Sequence, residues 1–191
     1  MIGSVSSATN GVLSKKNLEW VVKNFDRLNI SLDGPEDIQN SQRLGINGTG
    51  SFEKTSGTIK YLEEQKFNYG IRATITKQSV SRMPEIVEFF HEISPSLKSF
   101  HLEPLAECGR CKTTNIEAPN PKEFLKYSLK ARDIAEKLGI KLEYSGSALE
   151  NIQNSFCGAA GRNFFVTPEG KVTTCLEVCR SEDSRANIFM I

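Results

Sequence analysis

Apolar positions along the chain fall into two alternating rhythms. Between Leu28 and Asp33, the side chains of Leu28, Ile30 and Leu32 share one face and those of Asn29, Ser31 and Asp33 the other, a period-two strand stopped by Gly34-Pro35. The same period returns in Ile71, Ala73 and Ile75, in Phe100 and Leu102, and in Ile140, Leu142 and Tyr144. A weaker strand, Ser4 to Thr9, ends at Asn10-Gly11. Between the strands the period lengthens to about 3.6 residues, the signature of helices with one buried face. Leu18, Val21, Val22 and Phe25 form the first such face, behind Ser14 as an N-cap. Phe52, Ile59, Leu62 and Phe67 form the second, with Ser51 suited to cap it. Met83, Ile86, Val87, Phe90 and Ile93 form the third, with Pro84 tolerated in the first turn. Phe124, Ala131, Ala135 and Leu138 form the fourth, closed by Gly139. Residues 36–50 and 104–120 show neither period and read as loops. Strand and helix in strict alternation predict an α/β fold with a parallel sheet and right-handed crossovers.

The polar sides of these strands narrow the choice. Asn29, Ser31 and Asp33, then Arg72, Thr74 and Thr76, then Ser99, His101 and Glu103 turn the same way in three consecutive strands. Parallel strands covered on both faces read as nearly continuous apolar runs. A fully closed (β/α) barrel fills its interior with Val, Ile and Leu. The pattern therefore fits a partial, TIM-like barrel with a wide polar lumen, or a sheet with one face in water.

Composition adds mainly exclusions. A chain of 191 residues buries roughly 70% of its unfolded surface and needs no metal or disulfide merely to fold. With 25% charged residues and a net charge of +1, nothing in its electrostatics points to nucleic acid or a membrane surface. No apolar run approaches the roughly 20 residues that span a bilayer. Met1 to Val5 lacks the basic and apolar regions of a signal peptide. Five cysteines without such a signal imply a reducing, cytoplasmic compartment, where clustered thiols bind metal or do chemistry.

The cysteines supply the candidate chemistry. Twelve residues separate Cys157 from Gly170, four more separate Gly170 from Cys175, and Cys179 lies four positions further on. The segment Asn163 to Thr174 is a hairpin by composition, with apolar and β-branched flanks around Pro168 and Gly170. Its return strand brings Cys175 back towards Cys157 and so gathers thiolates. A four-iron cluster takes four cysteine ligands and structural zinc takes four Cys or His, whereas at most three thiols stand near this hairpin. The site is thus incomplete here or completed from elsewhere, unless these thiols are simply small buried hydrophobes. Cys108-Gly-Arg-Cys111 is a lone pair of thiols that suits a redox couple, half a zinc site or no site at all. His91 lies on an apolar helix and reads as ordinary; His101 shares the polar face with Glu103.

In this order the pieces resemble the radical SAM superfamily, in the branch with a SPASM or twitch extension that includes anaerobic sulfatase-maturating enzymes and ribosomal-peptide maturases. Thr9-Asn10-Gly11 resembles the end of the third barrel strand, and Ser31-Leu32-Asp33-Gly34-Pro35 the fourth-strand motif. Gly50-Ser51-Phe52 resembles the start of the helix that follows, Arg72-Ala73-Thr74 the fifth strand, and Leu102-Glu103-Pro104-Leu105 with Gly109-Arg110 the sixth. The Cys157–Gly170–Cys175 spacing matches the opening of the SPASM cysteine pattern. The resemblance implies barrel residues 1–145 and a SPASM/twitch region opening at 146–191. It implies that Ser31 and Arg72 hold the carboxylate end of S-adenosylmethionine, that Asp33, Thr74 and Glu103 line the same lumen, and that Cys157 and Cys175 ligate an auxiliary [4Fe–4S] cluster, with Cys179 as a further candidate. A guanidinium fork suits a carboxylate because it can pair with both oxygens.

What the resemblance lacks is equally specific. The C-x-x-x-C-x-x-C that holds the radical-generating cluster is nowhere in the sequence, nor is the glycine-rich second-strand motif for the cofactor's amino group. The expectation is a fragment, inactive by itself, of an iron–sulfur oxidoreductase that reductively cleaves S-adenosylmethionine and abstracts hydrogen from a peptide or protein side chain. Its strand edges, if unpaired, are places where molecules can associate. Two other classes stay open: a zinc-stabilised α/β binding module without catalytic activity, and an ordinary α/β metabolic enzyme whose thiols are incidental.

Overall fold

Strand alternates with helix from Ser6 onward in the computed structural model, which describes residues 4–45, 47–106, 114, 116–145, 158–160 and 164–190. Five strands, β1 (Ser6–Thr9), β2 (Arg27–Ser31), β3 (Tyr69–Ile75), β4 (Ser99–Pro104) and β5 (Lys141–Glu143), form one parallel sheet in chain order. Helices α1 (Lys15–Asn24), α3 (Phe52–Glu64), α4 (Met83–Ile93) and α5 (Pro121–Lys137) occupy the crossovers; a short α2 (Glu36–Gln42) precedes α3. A parallel sheet in sequential order with its helices on one side is the arrangement of a partial (β/α) barrel.

The apolar sides of the strands and helices meet in one core. Leu28, Ile30, Leu32, Ile71, Ala73, Ile75, Phe100 and Leu102 from the sheet region pack with Val21, Ile59, Leu62, Ile86, Val87, Phe90, Ala131 and Ala135. Phe90 and Phe100, both fully buried, stand edge to face with ring centroids 5.3 Å apart. Burying each ring is worth about 1.5–3 kcal/mol and their pairing about 0.5–1.5 kcal/mol more. Hydroxyls from α3 finish the turn after β1: Thr55 donates to the Asn10 carbonyl at 3.0 Å and Thr58 to the Gly11 carbonyl at 2.7 Å. Gly11 has φ +76°, and a Cβ there would lie 2.7 Å from Thr55 Cγ2, so both conformation and space require glycine.

Helix starts follow the sequence in part. Ser14 caps α1, its Oγ accepting from the Asn17 amide at 3.3 Å, and Asn120 caps α5 from the Lys122 amide at 2.9 Å. Ser51 does not cap α3. Its backbone is already helical, its Oγ donates to the Arg43 carbonyl at 2.6 Å, and it accepts from Gln39 Nε2 at 3.1 Å. The expected loop at 36–50 is corrected as well, because Glu36–Gln42 is helical. Only Ile38 in that helix is both apolar and buried, so no apolar period announces it; a buried glutamine, Gln39, takes the place of a second apolar anchor.

Contacts divide the chain into two compact units, residues 1–147 and 148–191. In the second, β6 (Phe165–Val166) and β7 (Val172–Thr173) pair as the expected antiparallel hairpin. Its turn is closed by Thr167 N–H to the Lys171 carbonyl at 2.8 Å, with Gly170 at φ +78°. A short helix, α6 (Ala186–Phe189), which the sequence pattern did not indicate, leads to a bridge between Met190 and Thr173.

Candidate functional site

Parallel register turns separate polar positions into rows. Ser31 of β2 pairs with Arg72 of β3, Arg72 with His101 of β4, and His101 with Glu143 of β5. One step towards the strand ends, Thr74 pairs with Glu103, and Asp33 lies two residues beyond Ser31 on the same side. These side chains share the face opposite the helix-packed core, because residues two apart in a strand point the same way. The expected polar face is therefore present. Its members divide sharply according to whether they already have partners.

Asp33 is engaged on every side. It is 1% exposed, and its carboxylate receives the Arg43 guanidinium as a fork, Nε at 2.7 Å and Nη2 at 3.0 Å. The Thr74 amide donates to the same carboxylate at 2.8 Å, and Arg43 Nη2 also reaches Thr74 Oγ1 at 3.2 Å. Gln39 accepts from the Asp33 amide at 2.8 Å, and Gln42 Nε2 donates to the Thr74 carbonyl at 3.3 Å. This network locks the ends of β2 and β3 to α2 and the turn after it. Asp33 and Thr74 thus serve as braces, with their polar atoms spent inside the protein.

Glu103 is also committed. It is 9% exposed, and its Oε1 accepts from the Ser145 amide at 3.0 Å and from the Ser145 hydroxyl, and faces His101 Nδ1 at 3.4 Å. The other ring nitrogen of His101, Nε2, lies 2.5 Å from Glu143 Oε2. A chain of contacts therefore runs from Ser145 through Glu103 and His101 to Glu143.

Ser31 and Arg72 differ. Arg72 is exposed, Ser31 is half-buried, and neither side chain has a hydrogen bond or ion pair with any other described residue. A guanidinium held on a rigid strand beside a hydroxyl, with its donors unspent, is a ready receptor for a carboxylate. The donor chemistry of these two residues fits the carboxylate end of an amino-acid-like cofactor.

The thiols stand in the second unit. Cys175 is half-buried just after β7 and Cys179 is exposed four positions on; both are free. Between them the chain turns, with the Val178 amide donating to the Cys175 carbonyl at 3.1 Å and Val178 fully buried. Cys157, Cys108 and Cys111 lie outside the described residues. Among the described residues no group of three or more His, Cys, Asp or Glu side chains is placed to hold a metal ion, so these residues alone do not make a cluster site. Among them, too, no helix is long and apolar enough to cross a membrane.

Several participants escaped the sequence reading. Gln39 and Arg43 sit in the stretch taken for a loop, and nothing periodic marks them. Glu143 carried a usable signal, since it occupies the polar phase of the strand whose apolar phase is Leu142 and Tyr144.

No family model matches the chain. Among curated proteins, a cysteine-type anaerobic sulfatase-maturating enzyme of Clostridium perfringens is 25% identical over 181 residues, covering 89% of this chain and 49% of that protein. The enzyme of the same description from Clostridium novyi is 24% identical over 184 residues, covering 89% and 48%. These homologues are radical SAM enzymes, and the chain spans about half their length. Among solved structures, native anSMEcpe with bound AdoMet and Kp18Cys peptide superposes with a TM-score of 0.69 at 21% identity, over 92% of this chain and 51% of that one. Streptococcus suis SuiB bound to S-adenosylmethionine gives a TM-score of 0.63 at 17% identity, over 94% and 44%. At these identities the likeness establishes the fold alone, a parallel sheet and its helices shared with those two proteins.

Proposed function

We propose that this chain forms the cofactor-holding wall of a radical SAM enzyme that modifies a peptide or protein side chain. The observation that carries the proposal is the unpartnered pair Ser31 and Arg72, neighbours in register on the polar face of a partial barrel. The first supports are relatives that are sulfatase-maturating enzymes and a similar structure that holds both AdoMet and a peptide. Arg72 pairs with the carboxylate of S-adenosylmethionine through its fork, and Ser31 adds a hydroxyl donor on the neighbouring strand. The Asp33–Arg43–Thr74 brace fixes the strand ends that carry both residues, so their spacing is set before the ligand arrives. The cofactor, when bound beside a reduced iron–sulfur cluster, supplies the hydrogen-abstraction chemistry. Cys157 and Cys175, with Cys179, are the ligands proposed for an auxiliary [4Fe–4S] cluster, to be joined by groups beyond these three.

Because C-x-x-x-C-x-x-C does not occur in the 191 residues, the chain by itself is expected to bind the cofactor without cleaving it. Calorimetry with S-adenosylhomocysteine tests the wall: Arg72→Ala should weaken binding at least tenfold, since a charge-assisted hydrogen bond is worth about 1.5–3 kcal/mol. Unchanged affinity would remove Arg72 from the site. Formation of 5′-deoxyadenosine by the isolated chain with S-adenosylmethionine and dithionite would overturn the division between wall and radical generator.

A further inference from the structure

On the helix side of the sheet, away from Ser31 and Arg72, the outward face of α5 carries chemistry that folding does not use. The helix turns Phe124, Ala131 and Ala135 into the core. At 3.6 residues per turn, Leu125 and Leu129 follow one another along its exposed side, and Lys122, Lys126 and Lys130 form a second row beside them. We propose that these two rows are a docking surface for an acidic amphipathic helix presented by another polypeptide. The proposal is independent of the cofactor reading of Arg72.

Both rows stand outside the interactions that hold the fold. Leu125 is 61% exposed and Leu129 43%, and neither belongs to the core or to the apolar side chains packed against it. A single exposed leucine needs no explanation, but two on consecutive turns make a continuous apolar strip. None of the three lysines has a carboxylate partner among the described residues, whereas Arg132 further along the helix pairs with Glu136 at 3.7 Å. Lys126 and Lys130 both stand over the Tyr127 ring, each Nζ 5.2 Å from its centroid. Two ammoniums gathered on one ring repel each other. Lys122 lies in the first turn, where the helix dipole favours acids, and Glu123 in that turn pairs with none of the three. Local costs without a local partner mark a charge pattern that an external anion completes.

An anionic membrane is the other surface that lysines beside leucines bring to mind. The helix argues against it. An interfacial helix gives its broad apolar face to lipid, whereas the broad apolar face of α5 is spent on the core and only the narrow leucine row is left. Asp133 and Glu136 follow on the same exposed side and would oppose an anionic surface. A partner helix meets both rows at once: its apolar side chains cover Leu125 and Leu129 while its carboxylates, four residues apart, reach the lysines. Charge then sets the register and direction of docking, and the leucines supply the area removed from water.

Fluorescence anisotropy on the full 191-residue chain tests the surface. The probe is a labelled synthetic helix with a row of leucines and a neighbouring row of glutamates, each at every fourth position; a control of the same composition has the rows scrambled. The ordered probe should bind about tenfold more tightly than the scrambled one, and its affinity should fall as salt is raised. Leu125→Ala combined with Leu129→Ala should weaken the ordered probe about tenfold with the melting temperature unchanged, because both side chains are exposed. Lys122→Glu, Lys126→Glu and Lys130→Glu together should abolish that binding and transfer it to a probe whose glutamates are replaced by lysines. This charge swap reads the site without touching either leucine. The proposal is overturned if the wild-type chain binds the two probes alike or binds neither, if the leucine variant binds as the wild type does, or if the charge-reversed chain does not take the reversed probe. Binding to phosphatidylserine–phosphatidylcholine vesicles in place of the ordered probe would overturn it in favour of a membrane surface.

Discussion

The two compact units are held together in different ways. Residues 1–147 bury a continuous core in which Leu28, Ile30, Leu62, Ile86, Phe90 and Phe100 are 2% exposed or less. Among the described residues of 148–191, Val178 is the only buried apolar side chain; the polar Thr167 and Thr173 are buried too, while Phe164, Val166, Leu176 and Ile188 are each more than 60% exposed. The first unit can stand on hydrophobic burial. The described residues of the second form a hairpin and carry two free thiols and little core, the condition in which small folds draw on metal ligands or disulfides for stability. Function is divided along the same line: the proposed cofactor wall lies on the self-sufficient unit, and the proposed cluster ligands lie on the dependent one.

Three measurements bear on that contrast, the largest effect first. Phe90→Ala opens a cavity under the sheet and should cost about 3–5 kcal/mol, read by urea denaturation followed by far-UV circular dichroism. A cost under about 1 kcal/mol would mean that the first unit does not depend on its core. Cys175→Ser should leave that denaturation midpoint in place yet lower the iron bound after anaerobic reconstitution and hasten proteolytic cleavage after residue 148. Zinc without iron or sulfide in the wild-type protein would favour a structural metal module instead.

Arg82→Met should have the smallest effect. Arg82 pairs with both Asp37 and Glu85, and its hydrogen bonds hold both carboxyls below their ordinary range. A carboxyl with a depressed folded-state pKa stabilises the fold above its unfolded value, and that contribution disappears as pH falls through the folded one. The pair partners are largely exposed, so Arg82→Met should lower the melting temperature by only about 1 °C at neutral pH, with the difference shrinking as pH falls through the lowered folded-state values. A difference that grows on acidification would reverse the sign of this linkage.

The sheet and its polar face were legible in the sequence because period-two alternation is a direct image of strand geometry. Leu28–Asp33 and Ile71–Ile75 announce both the strand and the side that faces away from the helices. Helix α2 was illegible for the complementary reason: a helix anchored by Ile38 and a hydrogen-bonded Gln39 has no apolar stripe to display. The division of the polar face into braces and open receptors was hidden too. Asp33 and Arg72 are both single charges on the polar phase of their strand motifs, and only the fold shows that Arg43, ten residues from Asp33, has claimed one and left the other free. Ser51 misled for a related reason, since the hydroxyl that suits an N-cap was drawn to the Arg43 carbonyl.

The sequential strand order has a bearing on how the protein is made. Each strand of the sheet pairs with the one synthesised immediately before it, from β1 through to β5. A chain leaving the ribosome therefore never has to hold an early strand open for a late partner; each βα step docks on a surface already in place. Growth by accretion of this kind moves the growing edge from strand to strand while the outer edge of β1 stays as it was, which limits the time each newly made edge can capture another nascent chain. Shuffling the order of these βα segments in a permuted gene would keep every native contact and should still slow productive folding.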